Sequence, residues 1–215
     1  MFSFLTKSDK LLYVDKVWQT KQACLKGMAA EALNAFKNSR TPVVFFFFEE
    51  ARQKFIQFLD SNQLTWKTIE PGRSADENLT GATIFIVNAF ASESHEMGDW
   101  LNRRSKVSPL VFLFLGHYPL VGPEDRVIER LRQRIGSVPM VFCVSLEDML
   151  FQNFGSDRIK TLMETLGMKE DECIEHNMVS KAIFRARKKL DDNVKSERRT
   201  STEADWFTQN IKQQI

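Results

Sequence analysis

Six consecutive apolar residues, Val43-Val44-Phe45-Phe46-Phe47-Phe48, lie between Pro42 and Glu49. A strand with one wet face alternates apolar and polar side chains, because successive residues point to opposite faces. Unbroken apolarity therefore means burial on both faces, the condition of a central strand in a parallel sheet covered by helices. Ala82–Val87, Leu110–Leu115 and Met140–Val144 repeat the pattern. Leu64–Ile69 reads as a weaker strand before the turn Pro71-Gly72, and Leu11-Leu12-Tyr13-Val14 reads as an edge strand.

Helical spacing fills the intervals. From Thr20 to Phe36 the residues Leu25, Ala29, Leu33 and Phe36 recur at helical spacing, so they are expected on one face. Asn38 to Pro42 ends that helix. Glu49-Glu50 opens the next, with Phe55, Phe58 and Leu59 on its apolar side and Asn62 at its end. Glu124–Arg134 reads as a third. Asn88 to His95 is a loop at the carboxyl end of a parallel strand, where ligands bind in such folds. Beyond Val144 the strands stop. Ser145-Leu146-Glu147-Asp148 has the chemistry of a helix start, a hydroxyl to cap free N–H groups and carboxylates at the positive end of the dipole. Leu146–Phe154, Ser156–Leu166 and Asn177–Leu190 read as helices, and the polar tail Asp191–Ile215 keeps helix potential around Trp206, Phe207 and Ile211. The expected fold is α/β, a parallel-sheet domain over residues 10–150 with a helical extension over 151–215.

Several chemistries lack their residues. None of the nine glycines begins a phosphate-cradling loop ending in Lys-Ser or Lys-Thr. No His pair, carboxylate cluster or Gly-x-Ser-x-Gly occurs, so neither a catalytic residue nor a metal site is assigned. The three cysteines, Cys24, Cys143 and Cys173, are widely spaced and fit a reducing compartment. No run approaches the roughly 18 apolar residues of a membrane span, and Lys7, Asp9 and Lys10 interrupt the apolar start. A cytoplasmic protein with no transmembrane segment is expected. Net charge is only +2, but Lys181–Arg199 is locally basic and is the stretch that could meet nucleic acid.

One block of text resembles a known family. Ser145-Leu146-Glu147-Asp148, Phe154-Gly155-Ser156-Asp157-Arg158-Ile159, Leu162-Met163-Glu164-Thr165-Leu166-Gly167-Met168, Ile174-Glu175-His176-Asn177-Met178-Val179, Ala182-Ile183 and Lys188-Lys189 resemble, in order and spacing, the SecA preprotein translocase family. The resembling region is the second RecA-like nucleotide-binding domain and the start of the long helical scaffold. It implies a RecA-like, helicase C-terminal-type (P-loop NTPase-type) domain.

The departures lie in the nucleotide loops. Where the family has Thr-Asn-x-Ala-Gly-Arg-Gly-Thr-Asp, this chain has Val87-Asn88-Ala89-Phe90-Ala91-Ser92-Glu93-Ser94-His95, keeping Asn88. Where the family has Gln-x-x-Gly-Arg-x-Gly-Arg, whose arginines neutralise charge on a transferred phosphoryl group, this chain has Val127 to Gly136. One register keeps Arg134 and Gly136; a register shifted by one keeps Arg130 instead. Asn88, Arg130, Arg134 and Gly136 are thus vestigial nucleotide-binding candidates. Each also has a plain reading, Asn88 and His95 as loop residues, Arg134 as a solvated helix arginine and His176 as a structural helix start. The resemblance implies a catalytically degenerate pseudoenzyme without a cofactor, ATP entering only with a partner domain. It acts by binding a protein partner, such as a translocase component or a SecA-type motor. Half of a composite ATPase, completed by a separate phosphate-loop domain, and a nucleic-acid-binding remnant are the alternatives. Trp206 and Phe207 would need another surface to cover them.

Overall fold

The computed structural model describes residues 13–72, 82–154 and 157–211. Leu11, Leu12, Gly155 and Ser156 lie outside the described residues. Six strands form one sheet: β1 (Val14–Trp18), β2 (Thr41–Phe46), β3 (Trp66–Ile69), β4 (Ile84–Asn88), β5 (Leu110–Leu115) and β6 (Met140–Ser145). Their order is β1-β6-β5-β2-β4-β3, and each neighbouring pair is parallel. This is the α/β architecture the apolar runs required, and it fits a RecA-like domain. The Val43–Phe48 run forms β2 in the middle of the sheet, with Phe47 and Phe48 buried just past its end.

The two faces of the sheet differ. Val44, Phe46, Ile84, Ile86, Val111, Leu113 and Cys143 meet α1 (Lys21–Lys37) and α2 (Glu49–Ser61). Phe45, Phe85, Phe112, Phe114 and Phe142 point the other way, towards α3 (His95–Val107) and α4 (Val121–Ile135). On that side Phe114 stacks on Phe142 at 4.4 Å and on Phe45 at 5.0 Å. The period of two along each strand creates the division, and every strand phenylalanine but Phe46 falls on one side of it.

Several elements depart from the sequence reading. The edge strand is β1, Val14–Trp18, rather than a patch ending at Val14; its pattern is broken by Asp15, which is nonetheless 1% exposed. The buried side of α1 is Ala23, Cys24, Met28, Ala29, Ala32 and Ala35, while Leu33 is 39% exposed. The expected Leu25–Leu33–Phe36 face is therefore corrected. Small side chains, together with Met28, form the face that meets the sheet. Thr20 caps it, its hydroxyl accepting from Ala23 N at 3.1 Å. Helix α3 was not assigned from sequence; Ser94 starts it, accepting from Met97 N at 3.2 Å.

The rest of the chain is α5 (Met149–Phe154), α6 (Asp157–Thr165), α7 (Asn177–Asn193) and α8 (Glu203–Asn210). Leu150, Met163, Ile183, Leu190 and Trp206 join the phenylalanine face in one continuous core. Ile174 exchanges backbone bonds with Val17 at 2.9 and 3.0 Å, so this segment covers the outer edge of β1.

Gly27 lies under the Trp18 ring, and a Cβ there would overlap the indole. Gly27→Ala should cost about 1–3 kcal/mol through overpacking, read as a lower urea midpoint, whereas Gly122→Ala, which meets nothing closer than 3.9 Å, should leave it nearly unchanged.

Candidate functional site

Adjacent strands β2 and β5 send their following helices to opposite faces, α2 to one and α4 to the other. Such a reversal opens a crevice at the carboxyl ends of the strands. A cleft with about 740 Å³ of empty space, part of it open to solvent, lies there. Lys21, Lys54, His117, Ser145, Asp148 and Glu203 supply its polar lining.

The Ser145–Asp148 turn forms one wall. Ser145 ends β6, and its hydroxyl accepts from Glu147 N at 3.0 Å while its own N–H donates to Asp148 Oδ2 at 2.9 Å. Leu146 N donates to Trp18 O at 2.9 Å, and Glu147 Oε2 accepts from Lys21 N at 2.8 Å, at the start of α1. The expected helix from Leu146 is thus shorter. Its first N–H groups, on Met149 and Leu150, donate instead to Glu203 at 3.1 and 3.3 Å. Burial and the nearby Asp148 carboxylate push Glu203 up to about 7. Burial pushes Asp148 up to about 6, against the Ser145 N–H and Lys21.

Beneath the cleft lies a buried ionic quartet. His117 Nε2 is 2.9 Å from Asp15 Oδ1, and its Nδ1 is 3.1 Å from both Glu124 oxygens. Both ring nitrogens therefore face carboxylates, which only an imidazolium satisfies. Arg187 Nη1 reaches Glu124 Oε1 at 2.7 Å, and its Nε and Nη2 donate to Tyr118 O and Leu120 O. The other contact, Arg187 Nη1 to His117 Nδ1 at 3.2 Å, joins two donors; the Glu124 carboxylate between them holds both. Two anions and two cations balance. Burial alone would lower His117, but Glu124 and Asp15 outweigh it and hold the imidazole above its ordinary value. Phe142 stacks on the ring at 4.3 Å. Asp15 Oδ2 has no hydrogen-bond partner among the described residues.

The residues singled out from sequence are only partly brought together. Asn88 ends β4, and its Oδ1 accepts from Phe90 N at 3.0 Å, starting a 3-10 turn over Ala89–Glu93. Arg134 donates to the backbone oxygens of Ser92 at 3.2 Å, Glu93 at 3.3 Å, and Ser94. Its guanidinium lies against Gly98, where a Cβ would collide with it. The solvated reading of Arg134 is corrected: it staples α4 to the turn after β4. Arg130 is exposed on α4, and Gly136 ends that helix at φ +81°. His95 is exposed and pairs with Asp99 at 3.0 Å. His176 caps α7, accepting from Met178 N at 3.2 Å.

Within Lys181–Arg199, Arg187 is fully buried, Lys188 pairs with Asp191 at 3.7 Å, and Arg199 lies 3.9 Å over the Phe90 ring. Trp206 and Phe207 are 0% and 5% exposed, covered by the chain's own core. Sequence reasoning missed the quartet and Glu203. One signal was available for Arg187, a charge on the apolar stripe between Ile183 and Leu190. Among the described residues no group of three or more His, Cys, Asp or Glu is placed to hold a metal, and no helix is long and apolar enough to cross a membrane.

Comparison with known proteins finds no matching family model. The chain is 45% identical over 96 residues to protein translocase subunit SecA of Phocaeicola vulgatus, a match covering 41% of this chain and 9% of that protein. It is 28% identical over 195 residues to SecA of Lachnoclostridium phytofermentans, covering 83% of this chain and 21% of the relative. The matched part is thus a small fraction of those relatives' length. A solved C-terminal domain of a possible DNA helicase from Lactobacillus plantarum aligns at TM-score 0.43 and 9% identity, over 62% of this chain and 74% of that one; the fold assignment does not rest on it.

Two outcomes follow from the buried charges. Arg187→Leu should cost about 3–5 kcal/mol by leaving Glu124 uncompensated, and adding Glu124→Leu should restore part of it in urea unfolding. Glu203 is raised above its ordinary value, so its stabilisation is complete below 4.5 and is lost as pH rises through about 7. The raised His117 acts in the same direction. The urea midpoint should therefore fall from about pH 5 to about pH 8, and Glu203→Gln should flatten the part between about pH 4.5 and 7.

Proposed function

Starting from a SecA-like, helicase C-terminal-type domain, we propose that this chain is a cytoplasmic, catalytically degenerate module that binds a protein partner of the translocation machinery. One observation carries the reading. Arg134, the better-placed candidate for phosphoryl contact, gives its guanidinium to three backbone oxygens of the Ser92–Ser94 turn. An arginine finger must be free to meet charge developing on a phosphoryl group across a domain cleft. A guanidinium saturated by its own backbone holds a loop instead. Arg130 is exposed on α4. The chain has no phosphate loop of its own. The basic face that would favour nucleic acid is reduced by Arg187 and Arg199, both committed to intramolecular contacts. A folded domain without these chemistries acts through its surface, and the similarity to SecA supports a partner from the translocation machinery.

Calorimetric titration with ATP and ADP, alone and with a SecA-type motor added, tests the reading. No nucleotide heat is expected from the chain alone. A saturable heat from the purified motor is expected, and it should be unchanged by Arg130→Ala. ATP turnover that appears on mixing with a phosphate-loop domain and disappears with Arg130→Ala would replace this reading with the composite ATPase.

A further inference from the structure

Resting on the protein-binding reading, we propose that the carboxyl end of the sheet is a peptide-docking surface occupied in cis by residues 195–211. The partner segment it accepts carries an acidic residue followed three and four positions later by aromatic side chains. The strap between α7 and α8 has no regular structure from Val194 to Thr202 and adds no strand to the sheet. It is held as a bound peptide is held, by a few anchors on surfaces built by other elements. Glu203 accepts from Met149 N and Leu150 N. Ser201 O accepts from Glu50 N at 3.2 Å, in the first turn of α2, which no side chain caps. Glu197 accepts from the Tyr118 hydroxyl and from Trp206 Nε1. Trp206 sits edge-on to Tyr118 at 6.1 Å, and Arg199 covers Phe90.

The receptor's aromatic wall packs on itself without the strap. Phe47, Phe48, Phe90 and Tyr118 pack on one another, with Phe90 edge-on to Tyr118 at 5.1 Å. Helix α7 is fixed separately, by Arg187 in the quartet and by Asp191 Oδ1 accepting from Val121 N at 3.1 Å. The strap can therefore leave from Val194 onward while α7 stays. It is also a self-contained unit, closed by Asn210 Oδ1 accepting from Arg198 N at 2.6 Å and Asn210 Nδ2 donating to Arg198 O at 2.8 Å. What the surface recognises is on view in the strap: a carboxylate at Glu203 for the Met149–Leu150 N–H groups, then Trp206 and Phe207 for the aromatic wall. The charged groups facing Glu203 are Asp148 and Glu147 on the turn, Lys21 on α1, Glu50 and Lys54 on α2 and His117 after β5. A foreign segment with the same acid-then-aromatic spacing competes for the same anchors.

The test uses the full chain and a synthetic peptide of residues 197–211. Fluorescence anisotropy should show the peptide binding Trp206→Ala protein at least about 10-fold more tightly than wild type, because the tethered strap competes at high effective concentration. A peptide with alanine at the Trp206 position should bind neither. No binding to Trp206→Ala protein with native circular dichroism overturns the proposal. Should that variant not fold, hydrogen exchange of wild type decides. Amides of 197–211 should open ahead of α7 and the sheet; exchange only by global unfolding overturns the proposal. A wild-type chain that dimerises by exchanging straps overturns the foreign occupant in favour of a second copy. Peptide binding without motor binding supports the surface and removes only the translocation partner; motor binding without peptide binding removes the surface alone.

Discussion

Four charged side chains, Asp15, His117, Glu124 and Arg187, meet where water does not reach, and the arrangement of the molecule depends on their meeting. Each comes from a different element: β1, the loop after β5, α4 and α7. A buried charge without its counterpart is far costlier than a buried pair, so the four elements are bound to one relative placement. Imidazolium between two carboxylates, with a guanidinium on one of them, is the neutral combination. This clasp fixes α7 against the sheet, adding directional constraint to the apolar contacts of Ile183 and Leu190.

That placement shapes the carboxyl end of the sheet. Parallel α/β domains leave this end open for ligands. Here the chain covers part of it. Arg134 closes the turn after β4, Glu147 closes the start of α1, and Glu203 reaches the first N–H groups of α5. The strap brings Trp206 onto Tyr118, and the two aromatic residues that looked uncovered in sequence complete the core. The proton held by the Asp148–Glu203 pair near neutrality is a consequence, since two carboxylates are kept close in a partly dry cleft.

The strands were legible for a physical reason. Val43–Phe46, Ile84–Val87 and Leu110–Leu115 are apolar on both faces, and only a helix-covered parallel sheet dries both. The edge strand β1 was legible only as far as Val14, because Asp15 and Lys16 break its pattern; Asp15 is polar for the sake of His117, 102 residues away. The face of α1 was misread because apolar spacing reports that a helix is amphipathic, not how closely it approaches the sheet. Cys24, Met28, Ala32 and Ala35 hold the inward positions, and Leu33 lies outside them. Of the candidate residues, Asn88 and His176 have local jobs, capping the N–H two residues on, and short-range pattern exposes such roles. Arg134 could be marked but not interpreted, since its partners lie 40 to 42 residues away.

By itself, then, the sequence determined a parallel α/β domain, its central strands, most of its helices and a likeness to SecA, because these follow from local periodicity and from runs of matching residues. The tertiary structure alone decided where the charges went. It buried Arg187 beside Glu124, turned Arg134 back on its own chain, and set Glu203 against α5 and Trp206 against Tyr118. Those outcomes are pairings between distant segments. No one-dimensional pattern specifies them, because the energy of a charge or an indole depends on what the fold brings beside it and on how much water it leaves there.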